Sequence, residues 1–490
     1  MNTLSGIGVL LFCAVVIRLS QVRRRKLHRL PLPPGPPAEP IIGHMRLFPD
    51  VETTAETFHE WSQKYGDVFS LRVPGKTIIV LGSEQAAVDL LEKRSAIYSS
   101  RARLGYYEAI GWGDAIIFAP YGPFHTLQRK FYHDGFGKNV VSQYWEIQQR
   151  EANVLLKGLL EEPESYDRYA RRFAGATVTE IGYGHRIESF DDDFFYMGEK
   201  LGQTAGKGAT PSLLDIHPIF ARLPSWAPGA WFVNFIKDTK PFMDAIILGN
   251  YQKVEEELKA GTAKPSFTSQ HLESMEGEAH DPQQYRALRM AAGMIFAAGF
   301  ETTWHTLTIF IAAILLHPEV QKKAQEELDR VIGRGRLPEL SDRDSLPYMQ
   351  CVMHETMRWH PITPIGLPHQ VMADDTYRGM HIPKDAIIIA NARGLTWDEN
   401  KFHDARSFKP ERFLPKPEGA GEIFPTNAVY GWGRRICAGR FLADNSVWIA
   451  MARIIAVFDI TPPKDAEGRL TKPNIKFTTQ MTRSVGPSTL

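Results

Sequence analysis

The sequence is poor in cysteine and carries no excess of charge of either sign. Cys13, Cys351 and Cys437 are the cysteines among its 490 residues, which is too few for a disulfide framework. The 57 basic and 56 acidic side chains balance, so charge gives no indication of nucleic acid as a partner. Internal repeats and a glycine-rich nucleotide fingerprint are also missing. The remaining composition, with 43% hydrophobic residues, is that of a folded globular chain.

Charge is missing altogether from the first 17 residues, which are mostly apolar. Such a run is at the short end of what spans a bilayer. Basic residues follow the run and do not precede it, and no small-residue cleavage site comes after it. The pattern therefore favours a single-pass anchor over a cleaved signal peptide. We predict a transmembrane anchor at residues 1–22, with the body that follows on the cytosolic side of the membrane.

Residues 23–45 are first basic and then rich in proline, with five prolines between Leu30 and Pro37. Proline at this density stiffens the chain and cannot donate backbone hydrogen bonds. The segment is therefore predicted to be a rigid linker. No second linker follows, so residues 46–490 are expected to form one large body.

Helical periodicity dominates this body from residue 83 onward. Alternating segments at 68–73 and 77–81 predict two strands joined by a turn, and residues 386–390 predict a further strand. The expected fold class is mainly α with a small β portion. A helix-compatible stretch from Gln284 to His317 would run about 50 Å, enough to cross the core.

Polar residues lie in the middle of that predicted core helix, at Glu301, Thr302 and Thr303. A buried carboxylate and buried hydroxyls are costly without partners, and Gly299 weakens the helix beside them. The combination indicates a local opening that faces a ligand. The alternative is a threonine that bonds back to its own helix and a glutamate that stays solvated.

A segment nearer the C-terminus, residues 424–443, combines glycine, arginine and the third cysteine. Gly431 and Gly433 permit a positive φ where the backbone approaches a flat ligand. Cys437 would lie at the entrance of the following helix, where the helix dipole and free N–H groups favour a thiolate. A cysteine of this kind is a nucleophile or a metal ligand. No histidine base is singled out for the first role, and one thiolate is too few for zinc or an iron–sulfur cluster.

At these residues the chain resembles the cytochrome P-450 family. Tyr430–Gly439 is similar to the haem-binding signature of that family, with Tyr430 where phenylalanine is usual. Ala298–Thr303, Glu355–Arg358 and Pro410–Phe413 match other family motifs, in the family's order. The resemblance covers nearly the whole chain, including the anchor and proline-rich linker of endoplasmic-reticulum members. It implies a cytochrome P-450 fold with an N-terminal transmembrane anchor helix.

The resemblance implies a haem b cofactor, iron protoporphyrin IX, with Cys437 as the axial ligand of the iron. The further cofactor-binding residues that match the family are Arg435, Gly431, Gly433, Gly439 and Arg129. Arg129 belongs to a Trp-X-X-X-Arg pattern in which His125 stands in place of tryptophan, so the contact made by His125 stays open. Arg101 and His369 are weaker candidates for the haem propionates, for which a surface role fits equally well.

The resemblance also assigns a catalytic pair and a structural network. Glu301 and Thr302 match the family's acid–alcohol pair, in which Thr302 would hydrogen-bond oxygen and Glu301 would relay protons through water. Glu355, Arg358 and Arg412 match a buried network that braces the haem-side core. Taken alone, Glu355 and Arg358 would be interpreted as a surface ion pair of little energetic value.

The walls of the substrate pocket follow from the same resemblance. They are expected at 104–117, at Met294, Ala298 and Thr302, at 362–367 and at 480–482. Aromatic side chains, Tyr106, Tyr107, Trp112 and Phe118, are concentrated in or beside the first segment. The walls together imply an apolar substrate of modest size.

The implied activity is that of a monooxygenase that inserts one oxygen atom from O2 into a small hydrophobic organic compound. Similarity to fungal specialised-metabolism members points to a terpenoid or aromatic metabolite. No flavin domain is visible, so electrons would come from NADPH through a separate diflavin reductase at the endoplasmic reticulum membrane. Two other classes are a haem-thiolate isomerase, dehydratase or peroxygenase, and a non-enzymatic haem carrier or gas sensor. The intact Glu301–Thr302 pair argues against both.

Overall fold

A computed structural model describes residues 30–208, 214, 220, 222–276, 281–463, 467–471, 475–479 and 482–485. The predicted anchor at residues 1–22 lies outside these ranges, as does the first part of the predicted linker. How the chain divides into anchor, linker and catalytic domain therefore stays a prediction.

Helices make up most of the described chain. In chain order they are α1 (Thr54–Tyr65), α2 (Glu84–Ala87), α3 (Ser95–Tyr98), α4 (Gly105–Ala109), α5 (Pro123–Phe136), α6 (Trp145–Glu161), α7 (Tyr166–Tyr183), α8 (Asp193–Gly208), α9 (Trp231–Asp244), α10 (Asn250–Lys259), α11 (Phe267–Ser274), α12 (Pro282–Leu316), α13 (Pro318–Val331), α14 (Pro347–Trp359), α15 (Ala392–Thr396), α16 (Thr426–Tyr430) and α17 (Arg440–Val457). Short 3₁₀ and π-helical turns connect several of them, including a 3₁₀ turn at Gly433–Arg435.

The strands are short and form three small sheets among the described residues. They are β1 (Val68–Val73), β2 (Lys76–Leu81), β3 (His369–Gln370), β4 (Asp375–Tyr377), β5 (Met380–Ile382), β6 (Ile387–Ala390), β7 (Phe477–Thr479) and β8 (Arg483–Val485). One sheet has the order β1-β2-β6-β3, and β4-β5 and β7-β8 form hairpins. The prediction of a mainly α fold with a small β portion is confirmed.

The four-stranded sheet joins distant parts of the sequence. β1 and β2 are antiparallel, and Gly75 between them has a φ of 77°, as the predicted turn requires. β6 then pairs in parallel with β2, so that Ile78 lies opposite Ile387. Both faces of the central strands are apolar, which fixes this register by burial.

The end of the predicted linker packs against this sheet. The Ser70 N–H donates to the Pro34 carbonyl at 2.7 Å, and the Ser70 hydroxyl donates to the Pro33 carbonyl at 2.6 Å. Gly35 permits the approach, because a Cβ there would lie 2.1 Å from the Ser70 carbonyl oxygen. From Pro33 onward the proline-rich segment therefore lies along β1 and does not stand free of the body.

α12 is the predicted core helix. Asp281 caps its first turn by accepting from the Gln283 N–H at 2.9 Å, and Pro318 follows its last turn. Within the described residues it is the helix with the length and apolar composition of a membrane span, but 67% of its most apolar stretch is buried inside the body. Its first half packs in one hydrophobic cluster with α5 and α11, and its second half packs in another with α14 and α17.

Gly299 serves close packing in α12 and does not open the helix. The helix continues unbroken through this position, and a Cβ on Gly299 would lie 2.6 Å from a methyl of Val178 in α7. The neighbouring Phe300 ring lies against Gly175 of α7 and Gly198 of α8, where an added Cβ would approach it to 2.8 and 2.3 Å. The interpretation of Gly299 as a weak point was therefore wrong, because its small size lets α7 approach α12.

Candidate functional site

A cavity of about 320 Å³ lies beside the middle of α12. Met294, Ala298 and Thr302 border it as predicted, and so do Ile116, Ile117 and residues 362–363 and 366–367. The expected aromatic wall at Tyr106, Tyr107, Trp112 and Phe118 is wrong, since these rings are buried in the core and Tyr107 stacks on Phe118 at 3.8 Å. Gln480 and Met481 lie outside the described residues. The walls are mainly apolar.

The cysteine segment forms a tight loop at one wall of this cavity. α16 ends at Tyr430, and the Cys437 N–H closes the loop by donating to the Tyr430 carbonyl at 2.6 Å. Gly433 has a φ of 52°, and a Cβ on it would lie 2.3 Å from the Leu91 carbonyl oxygen. Glycine is thus required at 433 both by the backbone conformation and by the close approach of the Leu91 backbone.

The Cys437 side chain is exposed, and the space to which it is exposed is the cavity. Burial raises the pKa of its thiol; the Gly439 N–H, Arg129 and Arg440 act in the opposite direction. α17 begins at Arg440, three residues after Cys437, so the cysteine lies just before the helix as expected. A thiol that faces a cavity beside N–H groups and cations is suited to the role of a metal ligand.

Tyr430, which stands where the family usually has phenylalanine, has a hydrogen-bond partner for its hydroxyl. The Tyr430 hydroxyl donates to Asp444 of α17 and lies 3.5 Å from the Met357 sulfur. Burial, followed by the Asp444 charge, raises the pKa of Tyr430, so the hydroxyl stays protonated. The departure from the family pattern thus adds a hydrogen bond between the cysteine loop and α17.

Three guanidinium groups border the same cavity, those of Arg101, Arg129 and Arg435. Each donates to backbone carbonyls. None of them has a carboxylate within ion-pair distance among the residues described. Burial, with a further contribution from Arg129, lowers the pKa of Arg435 to about 10. This cation cluster therefore lacks the anion that buried cations normally have.

Two histidines accompany the cation cluster. His125 is 2% exposed, borders the cavity, and has no hydrogen-bond partner at either ring nitrogen. Burial, and then the Arg435 charge, lowers its pKa to about 3, so the ring is neutral. His369 donates from Nδ1 to the Tyr98 carbonyl at 2.7 Å. The alternative of a surface role for Arg101 and His369 is wrong, because both are buried.

On α12, Thr302 borders the cavity and Glu301 does not. The Thr302 hydroxyl donates to the Ala298 carbonyl at 2.8 Å, so it does bond back to its own helix. The solvated alternative for Glu301 is wrong, because Glu301 is buried and its carboxylate accepts from the Thr482 hydroxyl. Burial raises the pKa of Glu301, and the bond from Thr482 opposes that rise.

The structure brings Glu355, Arg358 and Arg412 together, away from the surface. Arg358 Nε and Nη2 contact the Glu355 carboxylate oxygens at 2.6 and 2.8 Å, and Arg412 Nε contacts it at 3.0 Å. The Lys409 N–H adds a bond at 2.8 Å. Arg358 also donates to carbonyls between residues 396 and 407, so it ties α14 to the chain that leads to the cysteine loop.

Comparison with known proteins decides the family. The family model described as cytochrome P-450 matches residues 33–483 of the chain. The chain is a cytochrome P-450. It is 37% identical to cytochrome P-450 monooxygenase 136 of Postia placenta, over 91% of this chain and 85% of that protein. It is also 37% identical to cytochrome P-450 monooxygenase claR of Ampulloclitocybe clavipes, over 92% of this chain and 84% of that protein. Its identity to cytochrome P-450 monooxygenase ple1 of Rhodocybe pseudopiperita is 35%, over 97% of this chain and 92% of that protein.

Membership in the cytochrome P-450 family makes the chain an oxidoreductase of the monooxygenase type. The family uses a haem iron, O2, a substrate and a redox partner that supplies electrons. The cavity residues fit this cofactor: the cation cluster lacks an anion, the Cys437 side chain is exposed to the cavity, and a Cβ on Gly439 would meet no atom within 4 Å.

Most of the predicted cytochrome P-450 site residues border one cavity. They are Cys437, Arg435, Gly431, Gly439, Arg129 and Thr302. Gly433 lies behind the loop, and Glu301 faces away from the cavity. Thr482 was expected in a wall of the pocket, but it does not border the cavity and bonds to Glu301 instead. No motif indicated Asp444, because it meets Tyr430 only after folding. The sequence did mark His125 as unusual, because it stands where the family pattern has tryptophan.

Substitution of Arg358 by alanine is expected to lower the free energy of unfolding by about 3 to 5 kcal/mol, because a buried carboxylate loses its main partner. The urea concentration at the midpoint of unfolding, followed by near-UV circular dichroism, measures the loss. Arg334→Ala is the control, since its ion pair with Asp329 lies at the surface and its removal should leave the midpoint unchanged. Equal midpoints for wild type and Arg358→Ala would contradict the prediction.

Proposed function

We propose that this cytochrome P-450 is a haem-thiolate monooxygenase that inserts one oxygen atom from O2 into a small hydrophobic substrate, with Cys437 as the axial ligand of the iron. The observation that carries the proposal is that Cys437, Thr302 and the cation cluster border the same apolar cavity. A thiolate, an acid–alcohol pair and an anion site are what this reaction requires of a protein.

The proposed cofactor is haem b. Arg435, Arg129 and Arg101 would pair with its propionates, and His125 would donate to them in place of the usual indole N–H. Gly431 and Gly439 would let the backbone approach the flat ring, with Gly433 holding the loop behind it. When bound, the haem iron supplies oxygen activation, to which a thiolate ligand donates electron density.

Thr302 and Glu301 are the proposed catalytic pair. The Thr302 hydroxyl borders the cavity at the helix position next to Glu301, so it can hold a proton donor such as water inside the cavity. Glu301 is buried, and burial raises its pKa, which suits a group that takes up and releases protons. The apolar walls, including Ile116, Met294 and Leu367, would limit the access of bulk water to the Thr302 hydroxyl.

A terpenoid or aromatic specialised metabolite is the proposed substrate class. The cavity supports this because its walls are mainly apolar, and the cation cluster that borders it is already assigned to the haem propionates. The similarity to fungal monooxygenases points in the same direction.

The proposed redox partner is an NADPH-dependent diflavin reductase at the endoplasmic reticulum. Residues 1–22 would anchor the chain by a single pass, 23–45 would link the anchor to the body, and 46–490 would form the catalytic domain facing the cytosol. The basic residues after the apolar run support this orientation. Part of the linker also packs on β1, which would restrict how the body tilts on the membrane.

The ferrous protein with bound carbon monoxide is expected to show the red-shifted absorption of thiolate ligation, and Cys437→Ala is expected to lose it. Cys351→Ala is the matched control, because Cys351 is buried in α14 and does not border the cavity. An unaltered spectrum in Cys437→Ala, or a purified wild-type protein without porphyrin, would sink the proposed function.

Replacement of Thr302 by alanine should divert reducing equivalents into hydrogen peroxide, because the cavity loses the hydroxyl that holds the proton donor. Peroxide released per NADPH consumed, measured with a fungal diflavin reductase, is expected to rise several-fold. Thr302→Ser should restore the wild-type ratio, and Thr308→Ala is a control whose hydroxyl lies on the same helix but away from the cavity. Unchanged coupling in Thr302→Ala would reject this role.

His125→Phe is expected to weaken haem binding by about tenfold or more, the value of a hydrogen bond to a charged group. The rate of haem transfer to apomyoglobin measures the loss, and His125→Trp should retain haem as well as wild type. Haem dimethyl ester, in which the propionates are esterified, should bind wild type and His125→Phe with more nearly equal strength. The same loss of affinity for haem and for its ester would mean that His125 contributes only packing.

A further inference from the structure

Two side chains lie behind Glu301, on the side that does not border the cavity. The Thr482 hydroxyl, in the turn before β8, donates to Glu301 Oε1. His305, one helical turn after Glu301 on α12, places Nδ1 3.1 Å from the same Thr482 oxygen. All three residues are buried. Thr482 therefore bridges the carboxylate and the imidazole, which are 4.0 Å apart at their nearest atoms.

The direction of these hydrogen bonds follows from the number of protons. A threonine hydroxyl has one proton, and Thr482 gives it to the carboxylate. His305 Nδ1 must then carry a proton and donate it to the Thr482 oxygen. Burial, and then the Arg171 charge, lowers the pKa of His305 to about 3, so the ring is neutral and Nε2 is unprotonated. The chain thus runs from His305 through Thr482 to an ionised Glu301.

The same three groups have a second arrangement with every bond reversed. If Glu301 is protonated, its O–H donates to Thr482, the Thr482 hydroxyl donates to His305 Nδ1, and His305 carries its proton on Nε2. Both arrangements keep the two hydrogen bonds that Thr482 makes, with Glu301 and with His305, which is the condition for both to be accessible. They differ by one proton in total.

We propose that His305 and Thr482 form a proton relay that serves Glu301. A hydronium ion of the solvent gives a proton to His305 Nε2 and leaves water, the Nδ1 proton passes to the Thr482 oxygen, and the Thr482 proton passes to Glu301 Oε1. No electrons move and no bond between heavy atoms changes. The inference rests on the proposed function, in which Glu301 delivers protons to the cavity, and it adds the path by which Glu301 is reprotonated.

The surroundings of His305 favour transfer over storage of charge. Its side chain keeps 8% of its surface exposed, which gives water limited access. Arg171 of α7 lies near His305, with its guanidinium carbon 4.2 Å from the centroid of the Trp304 ring. Asp167, also on α7, forms an ion pair with Arg171. On the hairpin side, Arg483 lies 3.7 Å from Glu56. The net positive influence of Arg171 disfavours a lasting imidazolium, so a proton that enters at Nε2 is passed on.

The first experiment observes Glu301 directly, without turnover. The carbonyl stretch of its protonated carboxyl group, identified by its loss in Glu301→Gln, is titrated against pH by infrared difference spectroscopy on the ferric full-length protein. Thr482→Val should raise the apparent pKa of Glu301, because the hydroxyl that stabilises the carboxylate is removed. Thr482→Ser should restore it. Ser484→Ala, which removes a hydroxyl from the same hairpin, should have no effect.

The second experiment separates proton transfer from positioning. His305→Asn keeps a hydrogen-bonding group near the position of Nδ1 but cannot pass a proton, so the Glu301 titration should stay as in wild type. Peroxide released per NADPH consumed should nevertheless rise several-fold, and the rise should be larger in D2O. His305→Phe should alter both measurements.

Three outcomes would overturn the relay. They are a Glu301 titration unaffected by Thr482→Val, equal effects of Thr482→Val and Thr482→Ser, and wild-type coupling in His305→Asn. These failures are distinct from failure of the proposed function, which would appear as a missing thiolate spectrum whatever the infrared titration gives.

Discussion

Buried charge is the constraint on which this structure depends. Around Glu355 the charges are matched two to two, because Arg358 and Arg412 share its carboxylate and Arg412 also pairs with Glu422 at 2.8 Å. At the cavity they are not matched, because Arg101, Arg129 and Arg435 meet only carbonyl oxygens among the described residues. An unpaired buried ion costs several kcal/mol. The body is therefore built to be completed by an anionic ligand, and the propionates of the proposed haem would bring charge of the missing sign.

α12 carries Thr302 and Glu301, the proposed catalytic pair, past the cavity that would hold the anionic ligand. Its close packing against α7 at Gly299 and Phe300 fixes the helix, so Thr302 borders the cavity and Glu301 faces the hairpin of β7 and β8. One helix thus separates the apolar side, where a substrate would bind, from a polar side that exchanges protons. Because the helix is held rigidly, Thr302 stays at the cavity while its neighbour Glu301 stays in contact with Thr482.

The sequence allowed prediction of the elements whose signals are local. The strand pair around Gly75, the core helix and the cysteine loop each depend on neighbouring residues, and the structure has them where the patterns placed them. Contacts between distant residues could be predicted only where the family resemblance supplied them, as for Arg412 with Glu355. The bond from Thr482 to Glu301 joins positions 181 residues apart, and no periodicity encodes such a contact. The aromatic residues near Tyr107 were misplaced for a related reason, since composition does not tell a pocket wall from a core.

The parallel pairing of β2 with β6 also constrains how the chain is made. Ile78 emerges from the ribosome well before Ile387, its partner across the sheet. At a typical 5–20 residues per second, the interval is roughly 15 to 60 s. During that time the apolar edge of β2 is an open template for strands of other chains. Until Ile387 has been made, the edge of β2 therefore has to be protected from pairing with other chains, for example by a chaperone.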